Sequence, residues 1–152
     1  MSPQISQERP RQPDVLALLD ASTAYSRALY PPEQIHQVDI PALESPSVRF
    51  FVARIGGVAV GCAGILLFGD GTAELKRMFV AEPARGTGTA GTLLAALETA
   101  ARREGVHTML LETGPLHHAA QRLYARAGYT VRGPFAAYEE SPGSIFMEKS
   151  LA

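Results

Sequence analysis

The sequence predicts a single α/β domain with a mixed, mostly antiparallel sheet flanked by helices, and three observations carry that expectation. The stretch "VRFFVARIGGVAVGCAGILLFGDGTAELKRMFV" holds three β-rich runs separated by Gly56-Gly57 and Asp70-Gly71. Those dipeptides supply the positive φ of tight hairpins, so the runs form an antiparallel meander. After it, helical periodicity alternates with short apolar runs, which adds helices and further strands in the order α, β, α, β-β. Finally, 152 residues at 46% hydrophobic and 19% charged suit one domain with a proper core and no second one.

The elements follow in chain order. Residues 1–13, "MSPQISQERPRQP", are rich in Pro and Gln and are expected to be a loosely ordered, flexible segment, which leaves the domain to residues 14–152. Asp14 is placed to cap a helix with Val15, Leu18, Leu19 and Leu29 at roughly helical spacing, and "YPPE" ends it because proline breaks the hydrogen-bond ladder. Residues 31–47 read as turn-rich with room for a short second helix. The meander comes next. A helix over about 88–104 carries Leu93, Leu94, Leu97 and Ala101 on one face, and Gly105 stops it. "VHTMLLE" is a short buried strand, "HAAQRLYARAG" a helix closed by Gly128, and "YTV" with "SIFMEKSL" a last hairpin.

Charge and cysteine content narrow the function. With 14 basic and 15 acidic residues the net charge is −1, and no long run of either sign gives a footprint for nucleic acid or an anionic membrane. The partner expected is a small molecule. Cys62, the only cysteine, lies in an apolar run as a small core residue, which excludes an internal disulfide and fits a reducing compartment. The N-terminus lacks the apolar core of a signal peptide and no window approaches 18 apolar residues, so a cytoplasmic location is expected. His36, His107, His117 and His118 show neither H-x-x-x-H nor H-E-x-x-H spacing and have no cysteine partners, so no metal site is expected.

Residues 85–91, "RGTGTAG", fit two phosphate-binding patterns. From Gly86 they read G-x-G-x-x-G, the dinucleotide fingerprint, with Glu112 in place of the ribose-binding acid. From Arg85 they read R-x-x-G-x-A. The preceding strand decides between them. A dinucleotide-binding strand runs directly into the first glycine and is almost wholly apolar, whereas "TAELKRMFV" carries Glu74, Lys76 and Arg77, and five residues separate it from Gly86. The second pattern therefore stands. Free N–H groups at a helix start, with the helix dipole, make an anion site, and Gly86 and Gly88 let phosphate oxygens approach because no Cβ intrudes. Arg85 adds a charged fork.

In this register, "ELKRMFV…RGTGTAGTLLAALE…LLETG…AAQRLYARAGY" resembles the core of the GNAT acetyltransferase superfamily over about residues 48–150. The resemblance implies a sheet splayed at its central parallel pair, with acetyl-CoA lying in the opened V. It implies backbone pairing of Met78 and Val80 with the pantetheine arm around Phe79. The segment Arg85, Gly86, Thr87, Gly88, Thr89 and Ala90 would wrap the pyrophosphate. Tyr124 would protonate the departing thiolate, its alternative being a packed core tyrosine. His117 stands where many members have an asparagine bonding the arm. The N–H of Val80 or a neighbour would polarise the thioester. Glu74 matches the position where some members carry the general base. With strict alternation it shares a face with Lys76 and Met78, and its alternative is an ion pair with Lys76 or a solvated position. Glu112 is the second candidate base, or else an anchor for "ETGPLHH". Leu123 and Ala127 read as packing and His118 as exposed; Tyr138, in "PFAAYEESPG", either lines the acceptor pocket or lies exposed. The resemblance implies direct transfer to a primary amine of a small molecule or peptide, with no metal. It leaves homodimer formation open, and a non-catalytic acyl-CoA-binding module is the alternative function.

Overall fold

The computed structural model describes residues 2–152. Its elements are β1 (Gln4–Gln7), α1 (Pro13–Leu29), α2 (Ile40–Leu43), β2 (Val48–Ile55), β3 (Val58–Leu67), β4 (Thr72–Val80), α3 (Thr89–Arg103), β5 (Thr108–Thr113), α4 (His118–Arg126), β6 (Thr130–Arg132) and β7 (Ile145–Ser150). One sheet holds all seven strands in the order β1-β2-β3-β4-β5-β7-β6. All neighbours are antiparallel except β4 and β5.

Two apolar layers cover the sheet. On one face Leu93, Leu94, Leu97 and Ala101 of α3 pack with Ile65, Ala73, Leu75, Met109 and Leu111, which is the helical stripe the sequence marked. On the other, Val15, Leu18 and Leu19 of α1 and Leu43 of α2 cover Phe50, Val52 and Cys62. Cys62 is fully buried, and burial pushes its thiol up to about 12, so it behaves as a core residue.

The N-terminal segment differs from its expectation. Gln4–Gln7 pair with Phe51–Arg54 as an edge strand, and Arg54 explains why the chain is held there. Its guanidinium bonds both Glu8 oxygens, Asp14 Oδ2 at 2.7 Å and Gly57 O. The ion pair holds the Glu8 carboxyl down at about 2. The first helix starts at Pro13, where the fixed φ suits the first turn, and Asp14 sits one residue inside rather than at the cap.

Strict alternation fails in β4. Cys62 faces Phe79 and Gly64 faces Lys76, so two residues of β3 span three of β4. The extra residue is a β-bulge, and Arg77 within it has φ 54, a left-handed conformation that costs a non-glycine residue about 1 kcal/mol. Three bonds hold it there: Nη1 to Val38 O at 2.7 Å, and Nη2 to Leu19 O at 2.9 Å and Thr23 Oγ1 at 3.0 Å. The bulge inverts the faces beyond it. Met78 packs with the α3 layer and Phe79 with the α1 layer, so Met78 lies on the face opposite Glu74 and Lys76, contrary to the sequence expectation.

The parallel pair β4–β5 is short. Only Thr72–Glu74 pair with Thr108–Leu110, while β5 remains paired with β7 to Thr113. Beyond Glu74 the two strands diverge and leave one edge of β4 without a neighbouring strand. The dinucleotide alternative fails here too, because this sheet has a single parallel pair.

Candidate active site

The divergence opens a cavity of about 690 Å³ between β4 and β5, roofed by α1 and the chain at 34–38 and bounded by the starts of α3 and α4. Met78, Phe79, Val80, Arg85, Gly86, Gly88, Thr89, Ala90, His117 and Tyr124 all line it, as do Glu74, Glu112 and Tyr138. Thr87 does not; its hydroxyl ties the loop from behind, donating to Ala84 O and meeting Thr89 Oγ1 at 2.8 Å.

At the α3 end, Gly86 and Gly88 have φ 78 and 83, and a Cβ at either would meet open space. No side chain caps α3, so the first N–H groups of the helix keep their donors free. Free backbone donors beside open space are the geometry that an anion would need. Arg85 is oriented differently from expectation. Its Nε donates to Val80 O at 3.0 Å, and its guanidinium lies over the rings of Tyr25 and Phe79, 5.3 and 5.4 Å from their centroids. The Val80 carbonyl is thus already occupied. The Ala81 amide bonds Val60 O, which turns the Val80 amide away from β3 and toward the open edge.

Tyr124 is buried, its ring edge-on to Tyr129, and its hydroxyl has no hydrogen-bond partner among the described residues. Burial first, then the Glu112 charge, push the phenol well above its ordinary value, so it stays protonated and is a donor at working pH. The His117 ring packs 5.3 Å from Tyr25 and 5.2 Å from Tyr30, its Nδ1 is buried with no hydrogen-bond partner among the described residues, and burial pushes its pKa below the ordinary value. Tyr30 Oη accepts the Leu116 N–H at 2.6 Å and so fixes the loop that leads into α4.

The crotch of the V holds two carboxylates in unlike surroundings. Glu74 is 3% exposed, and its Oε2 accepts from Tyr138 Oη at 2.7 Å and Lys76 Nζ at 2.9 Å. The Lys76 ammonium also donates to Tyr138 Oη at 2.9 Å, closing a three-membered network. The ion pair weighed in the sequence is therefore present, but buried rather than solvated. Glu112 accepts from Ser144 Oγ at 2.9 Å and meets His36 Nδ1 at 3.4 Å. Burial raises its carboxyl above the ordinary value. Tyr138 lines the cavity, its ring edge-on to His36. His36 and Ser144 were missed by sequence reasoning: both lie in loops, 108 positions apart, and no local pattern brings them together.

The splayed parallel pair, the uncapped glycine turn and the buried Tyr124 thus border one cavity. The profile of the acetyltransferase (GNAT) family fits residues 15–129, and the chain belongs to that family. An IAA acetyltransferase of Azospirillum brasilense is 41% identical over 148 residues, covering 97% of both chains. A Klebsiella pneumoniae protein solved as a candidate acyl-CoA N-acyltransferase is 37% identical and superposes with a TM-score of 0.84 over 99% of this chain and 98% of its own. The PaiA N-acetyltransferase of Thermoplasma acidophilum, solved with coenzyme A, shares the fold at 16% identity with a TM-score of 0.77, covering 99% of each chain. The chain is an N-acetyltransferase, and these relatives do not favour a non-catalytic module.

Proposed function

We propose that the acyl group is acetyl, and that it passes from acetyl-CoA to a primary amine of a small molecule by direct attack in a ternary complex. The observation that carries this reading is that one continuous cavity joins the glycine turn at the start of α3 to the two carboxylates at the crotch of the V. The Thermoplasma protein and an aminoglycoside 6'-N-acetyltransferase of the same fold were both solved with coenzyme A. In this proposal the backbone from Gly86 to Ala90 receives the pyrophosphate and Arg85 holds the cradle against β4. The Val80 amide supports the developing oxyanion, and Tyr124 protonates the departing thiolate. Glu74, the base expected from sequence, is paired with the Lys76 ammonium, whereas the donor on Glu112 is the neutral Ser144 hydroxyl, so Glu112 is the carboxylate that draws the acceptor in as an ammonium ion. A reducing cytoplasm suits the buried thiol.

The test is thiol release from acetyl-CoA with a panel of an arylalkylamine, a polyamine, an amino acid, an aminoglycoside and IAA, the compound in the Azospirillum relative's name. Release stimulated by an amine, with an acetamide product by mass, is expected. Coenzyme A binding without release from any member would overturn the reading.

A further inference from the structure

The crotch holds one side chain whose chemistry suits proton removal better than either carboxylate. His36 lies between Pro32–Gln34, a single helical turn, and α2, and it lines the cavity. Its Nδ1 edge faces Glu112 Oε2 at 3.4 Å and Ser144 Oγ at 3.5 Å. The first distance is at the long end for a hydrogen bond. Its Nε2 has no hydrogen-bond partner among the described residues, and the side chain is 34% exposed. Ser144 donates to the same Glu112 oxygen and fixes that carboxylate from the other side.

Resting on the proposed amine acceptor, we infer that His36 Nε2 takes the proton of the incoming ammonium, and that Glu112 and Ser144 are positioning residues that hold its Nδ1–H. The proton balance is simple. Neutral imidazole and R-NH3+ give imidazolium and R-NH2; the amine nitrogen then bonds to the thioester carbon as the C–S bond breaks, and the departing thiolate takes the Tyr124 proton. The second proton of the amine nitrogen passes to the Tyr124 phenolate through water, and the imidazolium returns its Nε2 proton to water through the cavity mouth, so that one proton is released per amide formed. A carboxylate bound at Nδ1 selects the tautomer whose Nε2 lone pair is free, and it stabilises the imidazolium that forms. The titratable and charged groups around the ring are Glu112 on β5 and Tyr138, which stands edge-on at 5.5 Å with Lys76 and Glu74 bonded behind it. Glu74 and Lys76 largely neutralise one another, so Glu112 is the anion that acts on the ring. The two loops are also held in register: a Cβ on Gly143 would come within 2.7 Å of Gln34 Oε1, which places residues 34–36 directly against 143–144.

The full-length protein provides two readouts. Without any acceptor, nitrogen-detected NMR of the histidine rings in the neutral range should show the His36 proton on Nδ1, and Glu112→Gln should shift the tautomer balance toward Nε2–H. A parent ring that carries its proton on Nε2 overturns the proposal. With the panel amine that releases most thiol, His36→Gln should lower kcat/KM about 100-fold near pH 7. The loss should shrink as pH rises and the amine becomes neutral, while the coenzyme A thermal shift is kept. Imidazole added to His36→Gly should restore part of the rate, and Glu74→Gln should give a profile parallel to the parent's. A pH-dependent loss in Glu74→Gln with a parallel profile in His36→Gln would return the role to Glu74 and overturn the assignment. If the parent releases no thiol with any amine, the proposed reaction fails, and the NMR result still decides the tautomer.

Discussion

Gly88 offers a direct test of the anion cradle, because asparagine and aspartate there differ in charge and not in shape. Both tolerate the left-handed φ of 83 better than other residues, and a Cβ at this position meets nothing within 4 Å. Both should therefore fold with a stability loss of no more than about 1 kcal/mol, and aspartate gains slightly from the helix dipole. Their ligand responses should diverge. A carboxylate about 5 Å from a phosphate charge costs about 3 kcal/mol at an effective dielectric constant of about 20, a loss of roughly 200-fold in affinity. At coenzyme A about 100 times the parent Kd, binding adds about 2.7 kcal/mol. For a chain of this length that raises Tm by about 5 to 10 °C. Gly88→Asn should keep most of this rise and Gly88→Asp should lose nearly all of it. Differential scanning fluorimetry with and without coenzyme A measures both. Equal rises in the two variants would refute the placement of the pyrophosphate at the start of α3.

Two other outcomes are expected. Tyr124→Phe should lower the rate of acetyl transfer by about 10- to 1000-fold with coenzyme A affinity nearly unchanged, measured by single-turnover kinetics; unaltered chemistry would reduce Tyr124 to packing. Glu8, held at about 2 against an ordinary 4.5 by Arg54, stabilises the fold above about pH 4.5, and that stability is lost as pH falls through about 2. Arg54→Met should accordingly cost about 1 to 2 kcal/mol in urea unfolding at pH 7, after allowance for partial exposure, and the gap from the parent should close toward pH 2. A gap independent of pH would remove the ion pair as its cause.

The glycine turn and the helix behind it were legible because their signals are local: the glycines of "RGTGTAG" and the stripe Leu93, Leu94, Leu97, Ala101 lie within one turn-and-helix unit. The bulge in β4 was not. Arg77 is no turn residue, and it adopts φ 54 because Leu19, Thr23 and Val38, distant in sequence, supply acceptors. Alternation therefore put Met78 on the wrong face. The strand Gln4–Gln7 escaped notice for a similar reason: a polar edge strand has one apolar residue, Ile5, and is held by Arg54 from the adjoining strand. Glu74 and Lys76 could be paired from their spacing, yet the third member of their network, Tyr138, lies 64 positions beyond Glu74. The crotch of the V is where loops meet, and loop meetings leave no periodic trace.

The bond from Tyr30 to the Leu116 amide bears on how this enzyme could be diversified. Residues 31–44 can in principle be exchanged between relatives as a specificity cassette, since they contribute α2, His36 and part of the roof. The crossover point matters. A junction placed after Tyr30 keeps the hydroxyl that holds the loop before α4, and with it the helix carrying Tyr124. One placed before it, importing a phenylalanine, leaves the Leu116 N–H short of an acceptor at a cost of about 1 to 3 kcal/mol. Chimeras cut one residue apart would then differ in turnover with every acceptor alike, a defect easily misread as poor substrate choice.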